Sequence, residues 1–226
     1  MAINADLSLR AHADTAAMAW AASPAKGVAR KRVYHDGAPE SGRVTSIVRY
    51  AAGSRFPAHE HPEGEEIVVL AGTFSDHTGD WGPGSYLLSP EGSPHAPWSE
   101  HGCQLFVHLR QYRGAQRLRI DTAARAWRRT SIPGIAHKVL LNEHDGPDGP
   151  LMVRLMRFRP GSERPAHDCH HGEEILVLDG ELADELGRYG PGTWLRTPPG
   201  SRDGARSAKG CLLYVRTGGL GLALGS

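Results

Sequence analysis

Cysteine is scarce in this chain, with three residues among 226, and no long apolar run occurs. A small, odd number of cysteines does not suggest a disulfide framework, so we expect a reducing, cytoplasmic location. No stretch approaches the roughly 20 apolar residues of a membrane span, and Asp6, Arg10 and Asp14 break any signal-peptide core. The formal net charge of +1 argues against nucleic acid or an anionic membrane as a partner.

Glycine and proline, by contrast, are frequent, with 28 and 16 residues scattered along the chain. Such punctuation is typical of short strands joined by tight turns. The apolar runs at residues 67–70 and 175–178 are bounded by glycines, which favours buried strands over helices. Helical periodicity is weak and limited to residues 11–22 and 121–128. The sequence therefore predicts an all-β fold with one short helix in each half.

The chain also repeats itself. The sixteen residues from Pro57 to Gly72 match those from Pro165 to Gly180 at ten positions, at a constant offset of 108. Upstream, Trp20 corresponds to Trp127 with one residue of slippage. Each half is long enough to bury its own core. We therefore predict two domains, residues 1–113 and residues 114–226, built on the same plan.

His59, His61, Glu65 and His95 are the candidate metal ligands of the first repeat. Side chains at i and i+2 of a strand point to the same face, so His59 and His61 project together. A turn containing glycine at residues 62–64 brings Glu65 back towards them, and His95 comes from a separate strand. The neighbouring Glu66 is a rival carboxylate, but it points to the other face of a regular strand. Imidazole and carboxylate ligands suit zinc, iron, manganese, nickel or copper.

The spacing of these residues resembles the two-part signature of the cupin superfamily. Gly53, His59, His61, Glu65 and Gly72 follow the pattern G-x5-H-x-H-x3-E-x6-G. The second part is G-x5-P-x-G-x2-H-x3-N, formed by Gly84, Pro90, Gly92 and His95, with Ser99 in place of its final asparagine. Nine of ten signature positions fit. The resemblance implies two tandem cupin barrels of the double-stranded β-helix, or jelly-roll, type.

Longer phrases are similar to the cupin domain of ChrR-type anti-sigma factors. These include Gly64-Glu65-Glu66-Ile-Val-Val-Leu and Gly92-Ser-Pro-His95. The resemblance implies zinc held by the same four residues of the first repeat. In that family a separate N-terminal helical zinc domain binds the sigma factor. Only about 20 residues without cysteine precede the first repeat here, so we do not expect anti-sigma activity.

The second repeat has diverged at the ligand positions. His167 and Glu173 persist, whereas Cys169 and Asp203 replace two histidines. Either this half is a degenerate structural partner, or the four residues form a second, weaker metal set. Cys169 is the one cysteine with a candidate chemical role, as a ligand or a reactive thiol. Cys103 and Cys211 occupy equivalent apolar positions and are expected in the cores.

Two functions agree with these features. The first is a metal-dependent module that binds or senses a small molecule or an oxidant inside the barrel. The second is a non-haem, metal-dependent dioxygenase that cleaves a diketone or a phenolic ketone. No catalytic residues can be assigned, and the sequence does not decide whether the protein is an enzyme. Four aromatic residues are candidates either for the lining of the barrel interior or, equally, for plain core: Phe56, Phe74, Tyr86 and Phe106. A homodimer is a further option.

Overall fold

The regular secondary structure of the protein is almost entirely β-strand. A computed structural model describes residues 2–38, 40–147 and 149–220. Within them, the three-residue 3-10 turn Thr122–Ala124 is the only helical element. The described segments hold no helix with the length and hydropathy that crossing a membrane requires. The predicted all-β class is confirmed.

The strands of the first half, in chain order, are β1 (Ala11–Asp14), β2 (Ala21–Ala22), β3 (Val28–Asp36), β4 (Arg43–Tyr50), β5 (Ser54–Arg55), β6 (His59–Glu60), β7 (Glu65–Gly72), β8 (Phe74–Asp76), β9 (Gly79–Trp81), β10 (Ser85–Ser89), β11 (Pro94–His95), β12 (Trp98–Ser99), β13 (Cys103–Leu109) and β14 (Leu118–Asp121). Those of the second half are β15 (Arg128–Arg129), β16 (Ile135–Glu143), β17 (Leu151–Phe158), β18 (Ser162–Cys169), β19 (Glu173–Gly180), β20 (Leu182–Ala183), β21 (Arg188–Tyr189), β22 (Thr193–Thr197), β23 (Ser201–Ser207) and β24 (Cys211–Gly218).

The described residues form two compact units. Unit 1 comprises Met18–Ala124 with residues 2–5, and unit 2 comprises Asp6–Ala17 with residues 125–220. The sequence repeat predicts a division after residue 113. Two short strands do not follow this division. Strand β1 lies within residues 1–113 but belongs to unit 2, and β14 lies within residues 114–226 but belongs to unit 1.

Unit 1 is a barrel made from one large and two small antiparallel sheets. The large sheet has the order β14-β10-β7-β13-β4-β3-β2, and the small ones have the orders β5-β12-β8-β9 and β11-β6. Alternate residues of the large sheet face inward and pack with Phe74 of the small sheet. The core contains Ile67, Val69, Leu105 and Val107, together with Cys103 as expected.

Unit 2 repeats this plan, with one small sheet where unit 1 has two. Its large sheet has the order β1-β22-β19-β24-β17-β16-β15, and its small sheet has the order β18-β23-β20-β21. The core contains Ile175, Val177, Leu213 and Val215, and Cys211 lies among them. The two tandem barrels predicted from the repeat are therefore confirmed.

The expectation of a short helix in each half was wrong. At residues 11–22 the structure instead has strand β1, which pairs antiparallel with β22 from Ala11 opposite Arg196 to Asp14 opposite Thr193. Alanine favours a helix by only tenths of a kcal/mol per residue over most residues, and the backbone hydrogen bonds of a sheet edge override it. At residues 121–128 only the turn Thr122–Ala124 forms, after β14 has paired with β10.

Candidate metal centre

Three histidines converge in unit 1. Strands β6 and β11 pair antiparallel, so that His59 lies directly opposite His95. His61 follows two residues after His59, and its ring centroid lies 4.7 Å from that of His59 and 4.5 Å from that of His95. One ring nitrogen of each histidine lies within 4.8 Å of the others. The structure thus brings together the two histidines of the His-x-His spacing and the distant third histidine.

Glu65 contacts two of these three histidines. Its Oε2 lies 3.2 Å from Nε2 of His61 and 3.6 Å from Nε2 of His95. Gly64 makes the preceding turn with φ of 73°, and a Cβ there would lie 2.2 Å from the carbonyl oxygen of Tyr112. Glycine is therefore required at this position. Glu66 is also buried, but it follows Glu65 along the strand and so points to the opposite face.

Burial favours the neutral form of two histidines of the cluster, His59 and His61. It lowers the pKa of His61 to about 3, with a further contribution from neighbouring His95 and His59. Burial also lowers the pKa of His59. The pKa of the buried Glu65 carboxyl is raised by the same loss of hydration. A neutral imidazole has a free lone pair on one ring nitrogen. The neutral form is therefore the protonation state that binds a metal ion.

Neighbouring groups orient two of the rings. Nδ1 of His59 lies 2.8 Å from the carbonyl oxygen of Pro57 and donates to it, which leaves Nε2 as the acceptor. Nδ1 of His95 lies 3.6 Å from Oδ2 of Asp76. Asp76 in turn accepts hydrogen bonds from the amide and hydroxyl of Thr78. Burial alone would raise the pKa of Asp76, but the interactions with His95 and Thr78 lower it. A carboxylate behind a histidine is typical of metal centres.

The donor atoms fit a divalent metal ion. Nε2 of His61 and Nε2 of His95 are buried and have no hydrogen-bond partner among the described residues. Such atoms are costly to leave unsatisfied, and a metal ion would satisfy them. The 3.2 and 3.6 Å separations from Glu65 match those of neighbouring ligands around an ion with bonds of about 2.1 Å.

A cavity of about 410 Å³ adjoins the histidines inside unit 1. Its walls are largely apolar and include Phe56 and Phe74, as expected for the interior. Tyr86 and Phe106 lie outside this lining and are buried core residues, the alternative left open for them. The volume is that of a site for a small molecule.

Unit 2 contains the same scaffold but a different arrangement of the matching residues. His167 lies opposite Asp203 across β18 and β23, as His59 lies opposite His95. Glu173, however, is bound by Arg164, whose Nη2 and Nη1 donate to its two carboxylate oxygens at 2.7 and 3.1 Å. Both side chains are buried. In unit 2, therefore, the carboxylate that matches Glu65 contacts a guanidinium. In unit 1, Glu65 contacts His61 and His95 instead.

The remaining residues of the weaker set also have other partners. Asp203 accepts a hydrogen bond from the Thr197 hydroxyl at 3.1 Å and lies 3.8 Å from Nη1 of Arg10. Burial raises the pKa of the Cys169 thiol to about 11, which disfavours a reactive thiolate. Across the described segments, His59, His61 and His95 are the only grouping of potential ligand atoms at metal-binding distances.

Two important residues were not singled out from the sequence. Asp76 has a counterpart, Asp184, at the offset of 108, and an aspartate present in both repeats was a usable signal. Arg164 stands where the first repeat has Phe56. The sequence shows a charged residue at an apolar position of the repeat. It does not show that this residue contacts Glu173, because that contact depends on side-chain conformation.

Solved structures with the same fold come from several bacteria. A structure from Nostoc punctiforme, described as a candidate dioxygenase, has a TM-score of 0.76 at 16% identity, covering 96% of this chain and 85% of that one. An oxalate decarboxylase variant from Bacillus subtilis has a TM-score of 0.65 at 11% identity, covering 92% and 76%. A pirin from Escherichia coli in complex with nickel(II) has a TM-score of 0.65 at 12% identity, covering 93% and 99%. At these identities the likeness concerns the fold alone.

The family comparison is more specific. No curated protein matches this chain. The profile of the ChrR cupin-like domain matches it twice, over residues 8–113 and residues 115–221. These matches span both repeats and include the histidine cluster of the first. The chain therefore belongs to the family of ChrR cupin-like domains.

Proposed function

We propose that this protein binds one divalent metal ion through His59, His61, Glu65 and His95 and uses it to hold a small molecule in the cavity of unit 1. The observation that carries the proposal is the buried cluster itself, with two unpartnered imidazole nitrogens beside an apolar cavity. The family resemblance favours zinc, while iron, manganese and nickel suit the same ligands. A bound ion would supply a Lewis acid that polarises a ligand oxygen.

In this proposal the protein's own residues have separate tasks. The histidines and Glu65 hold the ion, and Asp76 orients His95. The apolar wall formed by residues such as Phe56 and Phe74 excludes water from the ligand. Such a module binds or senses its ligand without turnover. In this proposal unit 2 is a degenerate copy with a structural role and no metal ion.

A metal-dependent dioxygenase is the second candidate function. It is favoured by the size of the cavity, which at about 410 Å³ leaves room for a substrate beside the histidines. A diketone or a phenolic ketone offers the oxygen atoms that a metal ion binds. The fold also occurs in the candidate dioxygenase from Nostoc punctiforme.

One experiment separates the two functions. The protein is purified without added metal, its metal content is determined, and a second sample is loaded with iron and mixed with acetylacetone in an oxygen electrode. Bound metal without oxygen uptake is the result expected for a binding module. Oxygen uptake that requires both iron and the diketone would contradict it and support the dioxygenase. Absence of any metal from the protein would contradict both.

A further inference from the structure

An arginine, Arg30, faces the interior of the unit 1 barrel. Arg30 lies on β3 opposite Val48 of β4, and Val48 packs against the core of the barrel. Residues directly opposite each other in a sheet share a face, so Arg30 also faces inward. It lines the same cavity as His59 and His95, and only 14% of its side chain is exposed.

The guanidinium of Arg30 is only partly satisfied by the protein. Its Nη2 donates to both oxygens of Glu40, at 3.0 and 2.9 Å. Its Nε is buried and has no hydrogen-bond partner among the described residues. A carboxylate that binds a guanidinium side-on takes two nitrogens at once, with two parallel hydrogen bonds. Glu40 instead accepts from Nη2 alone, so Nε of Arg30 keeps a hydrogen that no described residue accepts.

Glu40 is also a replaceable partner. Its side chain is 54% exposed, and it is shared with Nη2 of Arg32 at 3.1 Å. An ion pair this exposed contributes little stability, so a second carboxylate can compete with it. Arg32, unlike Arg30, does not line the cavity.

Unit 2 indicates that the barrel does not need an arginine here. His137 occupies the matching position, opposite Met156, as Arg30 is opposite Val48. The second repeat therefore lacks this arginine and also lacks the histidine cluster. An arginine at this position accompanies the intact cluster only, whereas Arg154 and Arg164 of unit 2 lie at other positions and contact Glu173.

From these contacts we infer that the cavity of unit 1 takes a small apolar molecule bearing a carboxylate, which Arg30 binds through Nε and Nη2 in place of Glu40. The apolar body lies against the wall formed by Val48, Leu105 and Val107. The inference rests on the proposed function for the other end of the ligand, which faces the metal residues. It names the substrate class of that site as apolar carboxylic acids.

The test is calorimetric titration of the full chain, with its metal, using a probe series. The probes are the straight-chain acids from butyrate to decanoate and 4-phenylbutyrate, each paired with its neutral amide. We expect at least one acid to bind about tenfold or more tightly than its amide, because a charged hydrogen bond is lost with the amide. If no acid binds, or acids and amides bind equally, the inference is wrong.

Three variants locate the effect at Arg30. Arg30→Met keeps an apolar stem of similar length and should lose the preference for the acid while binding the amide as before. Glu40→Gln removes the competing carboxylate and should tighten binding of the acid, a gain that a purely structural role would not produce. Arg32→Met is the matched control and should retain the preference. Unchanged acid affinity in Arg30→Met, or weakened affinity in Glu40→Gln, would overturn the inference.

Metal analysis of the same samples keeps the two proposals distinguishable. Acid binding that depends on Arg30 in a protein without metal would overturn the proposed metal function and leave the arginine site standing. Bound metal in a protein that shows no preference for acids over amides would overturn the arginine site and leave the proposed metal function standing. If Arg30→Met does not fold, the acid affinity of Glu40→Gln decides: a tighter affinity than the wild type supports the inference, and an equal or weaker one overturns it.

Discussion

Arg164 and Glu173 form a buried two-point ion pair in unit 2, with N–O distances of 2.7 and 3.1 Å. Glu173 matches Glu65, which in unit 1 faces His61 and His95. The guanidinium thus supplies a permanent positive charge at a position where unit 1 presents donors for a metal ion. Arg154 adds a second cation, with its Nη2 3.5 Å from Glu173. The diverged copy therefore satisfies its buried carboxylate from within the chain.

Removing Arg164 alone should be costly. In Arg164→Ala the buried Glu173 loses its principal counter-ion, so we expect the free energy of unfolding to fall by about 3–5 kcal/mol. The double variant Arg164→Ala/Glu173→Gln removes both charges and should recover part of this loss. Urea unfolding followed by tryptophan fluorescence measures both. A loss below about 0.5 kcal/mol in the single variant would show that the pair is not important, because it would match an exposed ion pair.

The same pair should make stability depend on pH. Burial would raise the pKa of Glu173, but Arg164 outweighs it and the pKa is lowered in the folded state. A carboxyl with a lowered folded pKa stabilises above its unfolded pKa of about 4.3, and this stabilisation disappears as pH falls through the folded pKa. The stability difference between the wild type and Glu173→Gln should therefore be largest near pH 7 and shrink towards pH 3. A difference that stays constant or grows in acid would contradict the lowered pKa.

Asp76 should strengthen metal binding without touching the metal. It lies 3.6 Å from Nδ1 of His95, and loss of such a carboxylate typically weakens metal affinity by about 10- to 100-fold. Asp76→Asn should show this loss in competition with a chelating indicator. Asp184→Asn is the matched control, because Asp184 is the equivalent residue in unit 2, where it pairs with Arg10. Equal affinities for Asp76→Asn and the wild type would rule out the orienting role.

The limits of unit 1 can be tested with two fragments. Strand β14 pairs with the edge strand β10, and Arg119 on β14 donates to the Leu88 carbonyl and the Ser89 hydroxyl at 2.9 and 3.0 Å. A fragment of residues 18–124 should therefore melt at a higher temperature than one of residues 18–113, whose β10 edge is unpaired. Differential scanning calorimetry compares the two, with Arg119→Ala in the longer fragment as an intermediate case. Identical melting temperatures would mean that β14 is dispensable.

The fold and the histidine cluster were predictable because both depend on local rules. Strand periodicity places His59 and His61 on one face, and glycine is required before Glu65 by the turn at Gly64. The repeat predicts two domains on the same plan, because each copy carries the same strands and turns, and the family resemblance implies that they are barrels. The family signature adds His95, which local spacing alone would not connect to the others.

The remaining features depend on tertiary contacts that the sequence pattern does not encode. Strand β1 lies in an alanine-rich stretch that favours a helix locally, and its pairing with the edge of β22 makes it a strand. Arg164 and Arg30 are both arginines in barrel strands. Whether an arginine faces a carboxylate partner, a cavity or solvent is decided by side-chain packing, which the sequence pattern does not specify.

The most direct test of the metal centre is the metal content per chain of protein purified without added metal. Inductively coupled plasma mass spectrometry should find about one equivalent of a divalent transition metal in the wild type, because unit 1 has the histidine cluster and Arg164 occupies Glu173 in unit 2. The variant His59→Ala/His61→Ala should contain almost none. Two equivalents in the wild type, or unchanged metal in the variant, would contradict this assignment.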